Sequence, residues 1–103
     1  AMSDRQPLPG TVPLLRLYIA GESPGARRAL ANAKRLVSAL DGRVHIEVID
    51  ILATPEVAET ADILATPTLS DDSTDPPRRL IGDISNIAEV LSYFGYSRKD
   101  IAS

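Results

Sequence analysis

The chain contains no cysteine and no tryptophan, and its only histidine is His45. Without a thiol there is no disulfide, no thiolate nucleophile, no thiolate metal site and no C-x-x-C redox chemistry. A single imidazole cannot build a multi-histidine metal centre. No apolar run approaches the roughly 18 to 20 residues needed to span a bilayer. The first residues show no charged-then-apolar secretory pattern. Charge of one sign is scarce too: the formal net charge is −3, too mild to attract nucleic acid or anionic lipid in general. The composition therefore predicts a cytoplasmic protein with no cofactor, no nucleic-acid partner and no membrane partner.

What remains is ordinary for a small folded domain. The 103 residues are 44% apolar and 24% charged, enough for one modest core. Residues 1–13, with Pro7, Pro9, Gly10 and Pro13, read as a flexible arm, 14–96 as the domain and 97–103 as a tail.

"LLRLYIA" (14–20) has the length and composition of a strand buried on both faces. In the next segment Ala26, Ala29, Leu30, Ala33, Leu36, Val37 and Leu40 recur at helical spacing. Ser23 suits the cap, Pro24 the first helical position, and Gly42 a left-handed stop. "VHIEVIDI" (44–51) alternates at first and then turns apolar on both sides, which predicts a strand more deeply buried toward its end. Strand, long helix, strand is a β-α-β unit with parallel strands. Thr54, Pro55 and Glu56 announce a short second helix. A strand through Thr68–Ser70, the polar loop 71–77 and "RRLIG" (78–82) read as an antiparallel hairpin. Asp83 or Ser85 is expected to cap a last helix whose buried stripe is Ile84, Ile87, Ala88, Leu91 and Phe94. Asp71, Asp72 and Asp75 are expected in a solvated turn, His45 on an exposed strand position, and Tyr93 and Tyr96 at core and rim.

The order β-α-β-α-β-β-α resembles the thioredoxin-like α/β plan: a mixed sheet with helices on both faces. Proline gives no ladder donor and is confined to strand starts, edges and bulges. Thr66-Pro67 stands where that plan commonly places a cis proline before its third strand. Where thioredoxins carry C-x-x-C, this chain reads Gly21-Glu22-Ser23-Pro24-Gly25-Ala26. The scaffold is therefore expected without its usual chemistry.

"LRLYIAGESPGARRAL", "VIDILATPEVAETADILATPTL" and "PPRRLIGDISN", in collinear order from about Leu14 to Leu91, resemble the circadian clock KaiB family. The resemblance implies a non-enzymatic partner of KaiC, a hexameric ATPase ring. It implies two folds: a ground state, tetrameric, with a rearranged second half, and a thioredoxin-like monomer that docks on the ring. KaiA and a sensor histidine kinase are implied as further partners, and a homo-oligomer (dimer or tetramer) as the unbound form. Expected partner-binding residues are Arg27, Arg28, Ala53, Thr54, Asp62, Arg78 and Arg79, the arginines forming a basic face. Pro67, Pro76 and Pro77, as isomerisable bonds, and Gly82-Asp83, as a flexible junction, are the candidates for the fold switch. Asp62 replaces a lysine frequent in the family, the 71–77 loop is more acidic, and the acidic C-terminal tail of cyanobacterial relatives is absent. The competing readings are a KaiB-like signalling or stress-response module acting without KaiA, and a sensor-kinase input-type domain. A redox enzyme is disfavoured by the missing thiols.

Overall fold

A computed structural model describes residues 13–96. The expected tail, and all of the expected arm except Pro13, lie outside the described residues. The elements follow the predicted order: β1 (Leu14–Ile19), α1 (Pro24–Ala39), β2 (His45–Asp50), α2 (Pro55–Ala61), β3 (Thr68–Asp71), β4 (Arg78–Ile81) and α3 (Ile87–Phe94). The sheet order is β2-β1-β3-β4. β1 runs parallel to β2, with Leu17 beside Val48, and antiparallel to β3, with Leu17 beside Leu69. β3 and β4 form the antiparallel pair, Leu69 beside Leu80.

Side chains alternate across a strand, and that alternation separates two faces. Leu15, Leu17, Ile19 and Leu69 form the core with Ala29, Ala33 and Leu36 of α1 and Val90, Leu91 and Phe94 of α3. Arg16 and Tyr18 point the other way and line a groove with Val57, Thr60 and Ala61 of α2. Helices thus flank both faces. The small alanines of α1 let its axis approach the sheet.

Local chemistry fixes the element ends. Ser23 Oγ accepts the Ala26 N–H at 3.2 Å, with Pro24 at the first helical position. After Leu40 the chain turns left-handed at both Asp41 and Gly42, and the Gly42 N–H donates to the Val37 carbonyl at 3.0 Å. The Thr66–Pro67 bond is cis, as expected, and so is Asp75–Pro76, whereas Pro77 follows a trans bond.

Three expectations are corrected. β2 does not sink into the core toward its end. It is an edge strand with no buried residue, and Val48 is 45% exposed. As an edge strand it is covered only in part: Ile46 packs partly buried against the core and Val48 lies beside α1, a placement that a local pattern cannot distinguish from full burial. The cap of α3 is Asn86, whose Oδ1 accepts the Glu89 N–H at 3.1 Å. Asp83 instead accepts the Ser85 N–H at 2.9 Å, forming a turn before the helix. Starting α3 later rotates its face: Val90 is buried, Ala88 is exposed, and Ile84 packs into the core from the turn.

Candidate functional site

β1 and β2, being parallel, finish at the same level, with Ile19 beside Asp50. β3 begins and β4 ends there too, as Tyr18 faces Thr68 and Thr68 faces Ile81. Four connections meet at this end of the sheet: 20–23, 51–54, 64–67 and 82–86.

Asp50 ties two of them together. Its Oδ1 accepts the N–H groups of Gly21 and Leu52, each at 2.9 Å. Those two backbone donors hold its carboxyl below the usual carboxylate range. Gly21 has φ +63, and a Cβ there would stand 3.0 Å from Leu52 Cδ1. Glycine thus gives both the turn and the room for Leu52 to lie over it. Leu52 nevertheless remains 68% exposed, and Leu64, in the segment leading to Pro67, 90% exposed. Single exposed leucines are common; these two stand before and after α2, on connections that reach this end of the sheet.

Beside these loops a cleft of about 390 Å³ opens between the start of α1 and the β4–α3 turn. Gly25, Arg28, Asn32, Pro67, Gly82 and Asp83 line it. The Ser85 backbone N–H, the Ser85 hydroxyl and the Arg28 charge, in that order of strength, hold the Asp83 carboxyl below its ordinary value. Ser23, at the thioredoxin cysteine position, is engaged in capping α1. Among the described residues no His, Asp or Glu cluster is arranged to hold a metal, and no helix is long and apolar enough to cross a membrane.

The expected partner-binding residues separate into groups. Arg27 and Arg28 are exposed on the first turns of α1, and Ala53 and Thr54 are exposed between β2 and α2. These four belong to the loop end, as do Pro67, Gly82 and Asp83. Asp62 closes α2 in a left-handed conformation (φ 60) and is exposed. Pro76 and Pro77 lie in the hairpin loop. Arg78 and Arg79 open β4 at the opposite end, level with Asp71 and Ser70. The four arginines therefore do not form one basic face. Arg78 Nη1 donates to the Tyr93 carbonyl at 3.4 Å, and Arg79 Nε to Ser70 Oγ at 3.1 Å.

Arg79 belongs to a polar row across the second face. Register puts Glu47, Arg16, Ser70 and Arg79 side by side on the four strands. Asp72 closes the row. It lies 3.1 Å from Arg16 Nη1 and 3.8 Å from Arg79 Nη2, and it accepts the Ser70 hydroxyl at 2.6 Å. Burial pushes its pKa up, but Ser70 and the two arginines outweigh that and hold it below the usual range. Burial also raises the Tyr18 phenol, with the Asp72 charge adding to the effect. Asp72 is thus half-buried and bonded rather than merely solvated. Sequence reasoning missed Arg16, Leu52 and Leu64 as surface features. A charge inside an apolar strand was the available signal for Arg16; the leucines gave none.

The KaiB domain matches this chain over residues 16–95. The chain belongs to the KaiB family. The circadian clock oscillator protein KaiB of Prochlorococcus marinus is 44% identical over 79 residues, which is 76% of this chain and 74% of that protein. That of Nostoc punctiforme is 43% identical over 79 residues, covering 76% of each. Among solved structures, the N-terminal domain of Synechococcus elongatus SasA matches with a TM-score of 0.66 and 19% identity, covering 91% of this chain and 94% of that one. Chloroplastic thioredoxin z matches with a TM-score of 0.67 and 21% identity, covering 82% and 76%. Those two likenesses establish the thioredoxin-like fold of this KaiB-family chain.

Proposed function

We propose that this chain is a non-enzymatic, circadian-clock-type adaptor that docks on a KaiC-like hexameric ATPase through the loop end of its sheet. The carrying observation is local. Where thioredoxins place reactive thiols, this fold has a capped helix start, an Asp50-fastened pair of loops, and exposed Leu52 and Leu64. Exposed leucines at the same end of the sheet as a cleft carrying Arg28 and Asp83 suit protein contact, arginine being favoured for bidentate pairing with carboxylates. Four of the expected docking residues, Arg27, Arg28, Ala53 and Thr54, already belong to that end. KaiA or a sensor histidine kinase is the further partner in this reading. The thioredoxin-like form is the docking form in this reading, and the ground-state KaiB fold, with a rearranged second half, is its alternative.

A second reading, a KaiB-like signalling or stress-response module acting without KaiA, is favoured by the acid-rich loop 71–77. It keeps the ring partner and differs only in the protein recruited after docking. Size-exclusion mixing with a cognate ring ATPase, with and without ATP, tests the shared claim. Co-elution is expected, and it weakens at least about tenfold, roughly 1.4 kcal/mol, in Leu52→Glu. Unaltered elution of both proteins under every nucleotide condition overturns it.

A further inference from the structure

The cleft of about 390 Å³ beside the loop end carries opposite charges on its two walls. α1 brings Arg28 and Asn32 to it, and the β4–α3 turn brings Gly82, Asp83 and Ser85. Helical side chains lean back toward the helix start. The Arg28 guanidinium does so: its Nη2 lies 4.0 Å from the place a Cβ on Gly25 would take. Glycine inside a helix is unfavourable relative to alanine, and here its missing side chain leaves the cleft room. On the other wall a Cβ at Gly82 would meet nothing within 4 Å. Ala29 and Ile84, both buried, and Pro67 give the cleft an apolar lining between the charges.

The two charges face each other without closing. The Arg28 charge acts on Asp83 and, after the Ser85 N–H and hydroxyl, helps to keep its carboxyl ionised. Yet no ion pair or hydrogen bond joins the two side chains. Asp83 is positioned from its own wall: Oδ1 accepts the Ser85 N–H at 2.9 Å and Oδ2 the Ser85 hydroxyl at 3.0 Å. A carboxylate oxygen accepts more than one hydrogen bond, so both keep capacity for a ligand. On the α1 wall, Asn32 Oδ1 accepts from Arg35 Nη1 at 3.1 Å, which leaves the Asn32 amide nitrogen as a donor. The start of α1 adds the positive end of the helix dipole on that side.

We propose that this cleft binds a free amino acid with an apolar side chain, its carboxylate on Arg28, its ammonium on Asp83 and its body on Ala29, Pro67 and Ile84. Charge complementarity selects this ligand. A simple anion gains Arg28 but is repelled by Asp83, and a simple cation meets the reverse. A zwitterion satisfies both walls at once, and its carboxylate suits the bidentate fork of arginine. The apolar lining favours an apolar side chain over none. The volume lies in the range of small-molecule sites. A ligand that bridges α1 and the β4–α3 turn binds the folded chain alone, so it also raises stability by mass action. Neither Leu52 nor Leu64 lines the cleft, and the test uses the chain without a partner, so the inference does not depend on ring docking.

The test is a titration of the isotope-labelled chain with L-leucine, followed by amide NMR spectra and by the thermal midpoint. Saturable shifts are expected at Gly25, Arg28, Gly82, Asp83 and Ser85, with a midpoint that rises with ligand concentration. Single-charge analogues separate the two walls. N-acetyl-L-leucine, without the ammonium, and L-leucinamide, without the carboxylate, each bind at least about tenfold more weakly, and glycine, without the apolar body, binds more weakly too. In Arg28→Gln the preference for L-leucine over L-leucinamide disappears; in Asp83→Asn the preference over N-acetyl-L-leucine disappears. Lys34→Gln, which removes a charge from α1 outside the cleft, leaves the affinity unchanged. Arg28→Gln carries the test by itself if Asp83→Asn disturbs the turn. Shifts that do not saturate or that spread over the whole surface, analogues that bind as well as L-leucine, or a carboxylate preference retained in Arg28→Gln overturn the proposal.

Discussion

Asp72 gathers polar contacts from Arg16, Tyr18, Ser70 and Arg79 onto one carboxylate. Charge-assisted hydrogen bonds of this kind contribute about 1.5–3 kcal/mol where water is partly excluded. Asp50, Asp72 and Asp83 all have depressed pKa values in the fold. Each contributes stability that is fully present above the unfolded carboxylate value of about 3.9 and is lost as pH falls through the folded value. Thermal midpoints should therefore be flat near neutrality and fall below about pH 4. Asp72→Asn should lower the neutral midpoint and flatten the acid slope, as read by circular dichroism across pH. Gly82, at φ +98 with open space around it, tests backbone rather than contacts. Gly82→Ala should destabilise this fold by about 1–3 kcal/mol, measured by urea denaturation. At this scale the sequence was only partly legible. Arg16 stood out as a charge in an apolar strand, but its partners lie 31 and 56 residues away, beyond any local pattern.

Among the elements, α1 and α2 are opposites. α1 is capped by a side-chain hydrogen bond and buries four of its residues, whereas α2 has no side-chain cap bond and buries none. The Thr54 hydroxyl donates to the Asp50 carbonyl at 3.2 Å instead of capping the helix. Ser23→Ala should consequently cost about 1 kcal/mol and Thr54→Ala less, both from denaturant midpoints. Amide exchange should be fastest in α2 among the helices, because little packing opposes its local opening. α1 was legible because seven apolar positions share one helical face. The edge placement of β2 was not, since strand order is set by which strands meet, and alternation reports only that two faces differ. The α3 cap was misplaced because three capping side chains, Asp83, Ser85 and Asn86, crowd one turn, and only the path out of β4 decides among them.

At the scale of the whole molecule, a thioredoxin-like scaffold is kept while its thiol chemistry is gone, and the remaining geometry is left to present surfaces. The β-α-β-α-β-β-α order was legible because turn residues and periodicity change at each boundary, and the cis bond before β3 only through the likeness of that order to the thioredoxin-like plan. The division of the arginines between opposite ends of the sheet was not, because Arg28 and Arg78 acquire their places only through strand direction. The most direct measurement is amide hydrogen exchange of this chain, free and bound to a cognate KaiC-like ring. Docking through the loop end predicts new protection concentrated at 21–28, 50–54, 64–67 and 82–86, with the β2 edge unchanged. Protection confined to β2 or to the Arg78–Arg79 end, or none under conditions where the ring is intact, would contradict it.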